Sequence, residues 1–188
     1  MARSDDRRAA LADAGIRVLA REGARGLTHR AVDAAAGTPR GTASNYFPTR
    51  DALISELVAR IEQRLTPDPA VHGPLAQQPP TRALFAAYIR DVVARLRADP
   101  DISLALFELR LEAARRPDVA ESLGAWRRRG FDADVAFNTR HGLPGTRADL
   151  ALFHYAVDGL MLDRLTVPID PDTPVDEIVD ALVERLLP

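Results

Sequence analysis

Apolar positions recur along this chain at the spacing of helices, not of strands. Leu11, Ala14, Val18 and Leu19 lie three or four apart in a first helix that begins near Ser4 and is closed by Gly23 and Gly26. A second, short helix opens at Thr28 as N-cap and ends at Ala36-Gly37. Thr38 as N-cap and Pro39 at the first helical position restart the chain at once, and this third helix ends near Phe47-Pro48. Thr49 opens a fourth, which carries the stripe Leu53, Ile54, Leu57, Val58 and Ile61 to about Leu65. Residues 66–81 hold five prolines and one glycine and read as a loop. Five more helices follow: about Thr81 to Arg97, Asp99 to Arg116, Asp118 to Arg140, Thr146 to Leu165 and Thr173 to Leu187. The last two open on Thr146-Asp149 and Thr173-Asp176, each at the spacing of a capping box. No segment alternates as a half-buried strand, and no internal repeat is visible.

The second helix is too short to stand alone, so it must pack on the first. Gly37 sits where a helix end needs a left-handed residue, and Thr38-Pro39 sends the chain off in a new direction. Two short helices joined by a tight turn form a helix-turn-helix, whose second helix can enter a DNA major groove. Its residue types suit that task. Arg40 can reach a guanine edge or a phosphate; Gly41 lets backbone approach closely. Thr42, Ser44 and Asn45 are short donors and acceptors, and Tyr46 can offer its hydroxyl to a phosphate. Phe47 reads as a core plug. Arg50, in the first turn of the fourth helix, can add a phosphate contact. Taken singly, each of these also fits an ordinary solvated face, and Thr28, Thr38 and Thr49 are explained by capping.

Composition supports this picture. Apolar residues make up 46% of the 188 and aromatics only 5%, which suits packed helices. The net charge of −2 hides an asymmetry: residues 1–64 hold eleven Arg against eight acids, and residues 65–188 fourteen Arg against nineteen. The N-terminal part is the one able to sit on a polyanion. Without cysteine, disulfides, Cys-ligated metals and thiol catalysis are excluded. The charged N-terminus is unlike a signal peptide and no apolar run is of membrane-spanning length, so a soluble cytoplasmic protein is expected. The histidines at 29, 72, 141 and 154 show no metal-ligand spacing, and no nucleophile elbow or phosphate loop is present. No metal, no cofactor and no enzymatic activity are expected.

Residues 11–57 resemble the DNA-binding domain of TetR-family transcriptional regulators. The resemblance is carried by Gly23, Leu27-Thr28, Arg30 with Val32, Ala36-Gly37, Gly41-Thr42, Tyr46-Phe47 and the stretch from Arg50 to Leu53. It implies that Thr28 and His29 meet phosphates, that Arg40, Thr42, Ser44 and Asn45 face the major groove, and that Tyr46 and Arg50 hold phosphates. Ala43 and Ser44 stand where the family usually has Leu and Tyr, which moves one phosphate contact toward Tyr46. Asp33 stands where a small apolar residue is usual, and is expected to pair with an Arg or lie exposed. The implied fold is all-α: a three-helix DNA-binding domain over residues 1–48, then a helical effector-binding and dimerisation domain over 49–188, about nine helices in all. The implied function is a homodimeric repressor released from a pseudo-palindromic operator by a small-molecule effector.

In the C-terminal part the helices 99–116 and 146–165 are apolar on most sides. For the last two helices this fits a four-helix interface between two protomers. Gly159 permits a close helix approach, either across that interface or within one protomer. Candidate effector-lining residues are Phe85, Tyr88, Phe107, Leu111, Trp126, Phe131 and Tyr155, together with Ile89, Phe137 and Met161; ordinary core is the commoner role for each. His154 and Asp158, four apart, are expected to face one another, as a buried pair or as ligand anchors. The alternative function is a small-molecule binding or catalytic helical protein with a vestigial DNA-binding domain.

Overall fold

The computed structural model describes residues 2–187, and in these it contains ten helices and no strand. They are α1 (Ala2–Gly26), α2 (His29–Ala35), α3 (Thr42–Tyr46), α4 (Arg50–Arg64), α5 (Pro69–Leu75), α6 (Arg82–Ala98), α7 (Pro100–Ala113), α8 (Pro117–Arg140), α9 (Arg147–Leu165) and α10 (Val175–Leu186). The chain divides into two compact units. One comprises Met1–Thr66 with Asp99–Trp126, the other Pro67–Ala98 with Arg127–Pro188.

In the first unit α1 is the central element, packed on α2, α4 and α7. Leu11, Leu19, Leu27, Val32, Leu53, Leu57, Ile61, Ala105 and Leu109 are all but inaccessible and form one core with Val119 and Leu123 of α8. Burying a Leu or Ile side chain of this kind contributes about 2 kcal/mol. α1 is interrupted at Gly23 (φ 69°, ψ −177°), near the close read from the sequence. In the second unit α6 packs on α5, α9 and α10, around Leu84, Phe85, Val93, Phe153, Val157, Met161, Val179 and Val183.

Several predicted caps form as read. Thr28 and Thr49 accept from Ala31 N and Ala52 N, and Thr146 with Asp149 makes the full capping box; Asp99, where the sequence starts its helix, also accepts from Asp101 N. Three expectations are corrected. First, Thr38 is not a helix cap and Pro39 is not its first turn: residues 38–41 are the turn, and α3 begins after Gly41 (φ 90°). The reason is Asp33, described below. Second, residues 66–81 are not all loop. Asp68 caps Ala70 N and Pro69 sits at the first helical position, where a missing N–H is harmless, so α5 forms. Third, the Thr173-Asp176 box is not made. The Thr173 hydroxyl instead donates to Asp170, and its carbonyl accepts Arg164 Nη2 at 2.8 Å. Those bonds belong to the loop before Pro174, and α10 starts without a side-chain cap.

Candidate nucleic-acid interface

The helix-turn-helix is built around one buried carboxylate. Asp33 lies in the last turn of α2 and is 3% exposed. Its Oδ2 accepts the N–H of Gly41 at 2.8 Å, and its Oδ1 accepts the N–H of Ala43 at 2.7 Å. The Thr38 hydroxyl lies 3.4 Å from Oδ1, and the Thr38 N–H donates to the Asp33 carbonyl. The carboxylate thus takes up N–H groups that a helix start leaves unpaired, from beneath rather than from within its own chain segment. This overturns the expectation that Asp33 pairs with an Arg or lies exposed: the backbone of the turn supplies donors that an Arg would otherwise supply. Gly37 (φ 63°) and Gly41 (φ 90°) hold the left-handed conformations that bracket the turn.

On the outer side of this frame, Thr28, Arg40, Gly41, Ser44 and Asn45 are exposed, and Thr42 and Tyr46 are half-buried. Arg40 stands in the turn just before α3, not on the helix. The Thr42 hydroxyl donates to Pro39 O at 2.6 Å and the Ser44 hydroxyl to Gly41 O at 3.0 Å, so both keep lone pairs toward solvent. Tyr46 also lines an open groove with Ser4, Asp6 and Arg7 of α1. Two residues expected to reach phosphates are engaged inward. His29 has Nε2 2.6 Å from the Phe47 carbonyl, which makes that nitrogen the donor. Arg50 donates to the carbonyls of Leu27 and Ala24, the latter at 2.6 Å, and its Nη2 is 3.8 Å from Glu112. Both tie the helix-turn-helix to its surroundings. Phe47, the expected plug, is 1% exposed.

This arrangement has counterparts. Residues 80–188, more than half of the chain, match the domain described as tetracyclin repressor-like, C-terminal, and residues 11–57 match the bacterial regulatory proteins of the tetR family. The chain belongs to the TetR family. It is accordingly a transcription regulator that binds DNA through a helix-turn-helix. No curated protein matches it. Among solved structures, the multidrug binding protein EbrR complexed with imidazole is similar at 28% identity and a TM-score of 0.65, over 97% of this chain and 95% of that one. A TetR-family member from Streptomyces coelicolor A3 aligns at 26% identity and a TM-score of 0.72, over 97% and 98%. A TetR-family regulator from Mesorhizobium loti, at 19% identity and a TM-score of 0.75 over 98% and 96%, shares the fold.

The effector-lining candidates of this TetR-family chain fall into both units. In the first, Phe107 is half-buried beneath Arg110, Leu111 is 54% exposed, and Trp126 packs against the core. In the second, Phe85 is buried 4.8 Å from Phe153, and Tyr88 is buried with its hydroxyl lacking a hydrogen-bond partner among the described residues. Phe131 stacks edgewise on His154 at 5.2 Å, and Tyr155 is 68% exposed. His154 and Asp158 each meet a side chain of α8. His154 Nε2 is 3.1 Å from Asp134, and Asp158 accepts Arg127 at 2.9 Å. Both partners, Asp134 and Arg127, stand on α8, which supplies polar neighbours to this face of α9. Sequence reasoning missed the Asp33 bonds and a His72–Asp91–Arg95 cluster on α5 and α6. The first left a trace, an acid in the last turn of a short helix ahead of a glycine-bracketed turn; the second joins segments nineteen residues apart and left none.

Proposed function

We propose that this chain is a homodimeric repressor that releases a pseudo-palindromic operator when a small molecule binds. The observation that carries the DNA reading is the exposed edge formed by Arg40, Ser44 and Asn45 on a backbone held from behind by Asp33. Arg40 and Asn45 are suited to guanine and adenine edges, and Thr28 and Tyr46 to flanking phosphates. Thr42 and Ser44 supplement the base contacts. His29 and Arg50 position the phosphate-facing surface through their carbonyl bonds. In this reading residues 1–48 carry DNA contact, and 49–188 effector binding and dimerisation.

Dimerisation through the last two helices is supported by α9. Ala148, Leu152, Tyr155, Gly159 and Leu162 recur every three or four residues and are all exposed, and a Cβ added at Gly159 would meet nothing within 4 Å. An apolar stripe of this length on the outside of a protomer fits a second copy. The effector reading is supported by EbrR, whose structures hold imidazole, proflavin and ethidium. An effector shifts the balance only by the difference in its affinity for the two conformations.

The test is selection of bound duplexes from a random pool by the full-length protein. The expected product is an inverted repeat whose half-sites are centred about 34–36 Å apart. Enrichment that is unaffected by Arg40→Ala, or a selected pool without symmetry, overturns the proposal.

A further inference from the structure

α5 lies against α6 although it contains no buried residue. His72 is its inward anchor. The imidazole Nε2 is 2.9 Å from Asp91 Oδ2, and the ring meets Tyr88 edge-on at 5.1 Å and Phe137 at 6.1 Å. Tyr88 and Phe137 are themselves 5.0 Å apart at 84°, and His141 stacks on Phe137 at 4.1 Å. Asp91 is only 10% exposed at its side chain and also accepts Arg95 Nε at 2.8 Å. Beside these rings the Tyr88 hydroxyl is shut off from water, with no hydrogen-bond partner among the described residues. Buried polar groups are seldom left so, and one beside a nest of aromatic faces is a site that awaits a partner.

We propose that this cluster is the ligand site of the second unit and that His72 is its built-in occupant. The displacing ligand is a flat aromatic nitrogen base that presents an N–H. It donates to Asp91 where His72 now sits, lies against Tyr88 and Phe137, and offers a heteroatom to the Tyr88 hydroxyl. An anion of the same shape meets the Asp91 carboxylate, and a hydrocarbon leaves Asp91 without the bond that His72 gave. Because α5 has no buried residue of its own, loss of the His72 contacts frees it. The inference rests on the effector reading above and names the chemistry of that effector.

Proflavin, a planar base with N–H groups, is the probe, and anthracene-9-carboxylate the anion on the same fused three-ring frame; both are titrated into the full-length protein without DNA. Wild type is expected to bind proflavin and not the anion. His72→Ala is expected to bind proflavin about tenfold more tightly, since the internal competitor no longer holds the site closed. Asp91→Asn is expected to bind about tenfold more weakly, and Tyr88→Phe several-fold more weakly. Proflavin is expected to speed proteolytic cleavage within residues 66–81. His72→Ala removes no buried side chain, so it decides the matter even where Asp91→Asn fails to fold. Unchanged or weaker binding by His72→Ala, equal binding of the anion, or no proflavin binding at all overturns the proposal. If another small molecule still releases the operator, only this inference falls; if none does, the effector reading falls with it.

Discussion

Asp33, itself 3% exposed, accepts two backbone N–H groups, that of Ala43 inside the core and that of Gly41 at the exposed turn. Asp33→Ala leaves both donors without a partner, at a cost of about 2–3 kcal/mol. Asp33→Asn keeps one acceptor but turns an NH2 toward the other N–H, so it is expected to fall between the two in urea unfolding and to weaken operator binding as well. Arg40 behaves in the opposite way. It is exposed, so Arg40→Ala is expected to leave the unfolding curve in place while DNA affinity drops by about 1–3 kcal/mol, as measured by anisotropy at fixed salt. A sequence shows which side chains can face DNA, because helical period and turn position decide it. Whether a polar residue is free to do so is another matter. His29 and Arg50 read as phosphate contacts in one dimension, yet both are engaged by carbonyls of neighbouring segments. Only the packed chain reveals those competitors.

Among the elements, those whose start is decided by the adjacent few residues were legible: α2, α4, α7 and α9 begin at their Thr or Asp caps. α3 was misplaced because its start is governed by a carboxylate eight residues upstream of Gly41. α5 was hidden because prolines count against a helix unless their position is known to be the first turn. Gly41→Ala is expected to destabilise by about 1–2 kcal/mol although there is room for the methyl group, because φ there is 90°. Between α1 and α4, Asp13 accepts Arg60 Nε and Nη2, each at 2.8 Å, and Arg64 at 3.3 Å. Burial pushes the Asp13 carboxyl up, but the hydrogen bonds and charges of Arg60 and then Arg64 bring it below its ordinary 3.8. A carboxyl depressed in the folded state stabilises above its ordinary value and loses that contribution as pH falls through the folded one. Asp13→Asn should therefore cost about 1–2 kcal/mol at neutral pH, and the gap from wild type should close below about pH 4 in denaturation series.

For the whole molecule, α9 carries an exposed apolar stripe that the proposed dimer would cover. The sequence showed that this helix is apolar on most sides, but not which side was left over once Phe153, Val157 and Met161 had been buried. Tyr155→Arg, which places charge at the middle of the stripe, is expected to convert a dimer to monomers in sedimentation velocity while the helical signal stays unchanged. Operator affinity should fall with it, since two half-sites are then bound one at a time.

The bracing of α3 by Asp33 also bears on how such a regulator diversifies. A five-residue helix has almost no stability of its own, so its shape is imposed from behind and owes little to the residues it shows to solvent. Arg40, Ser44 and Asn45 are therefore free to vary with little penalty in folding. A lineage carrying this frame can drift to new binding sequences one exposed side chain at a time, and a library randomised at these three positions should return mostly folded proteins.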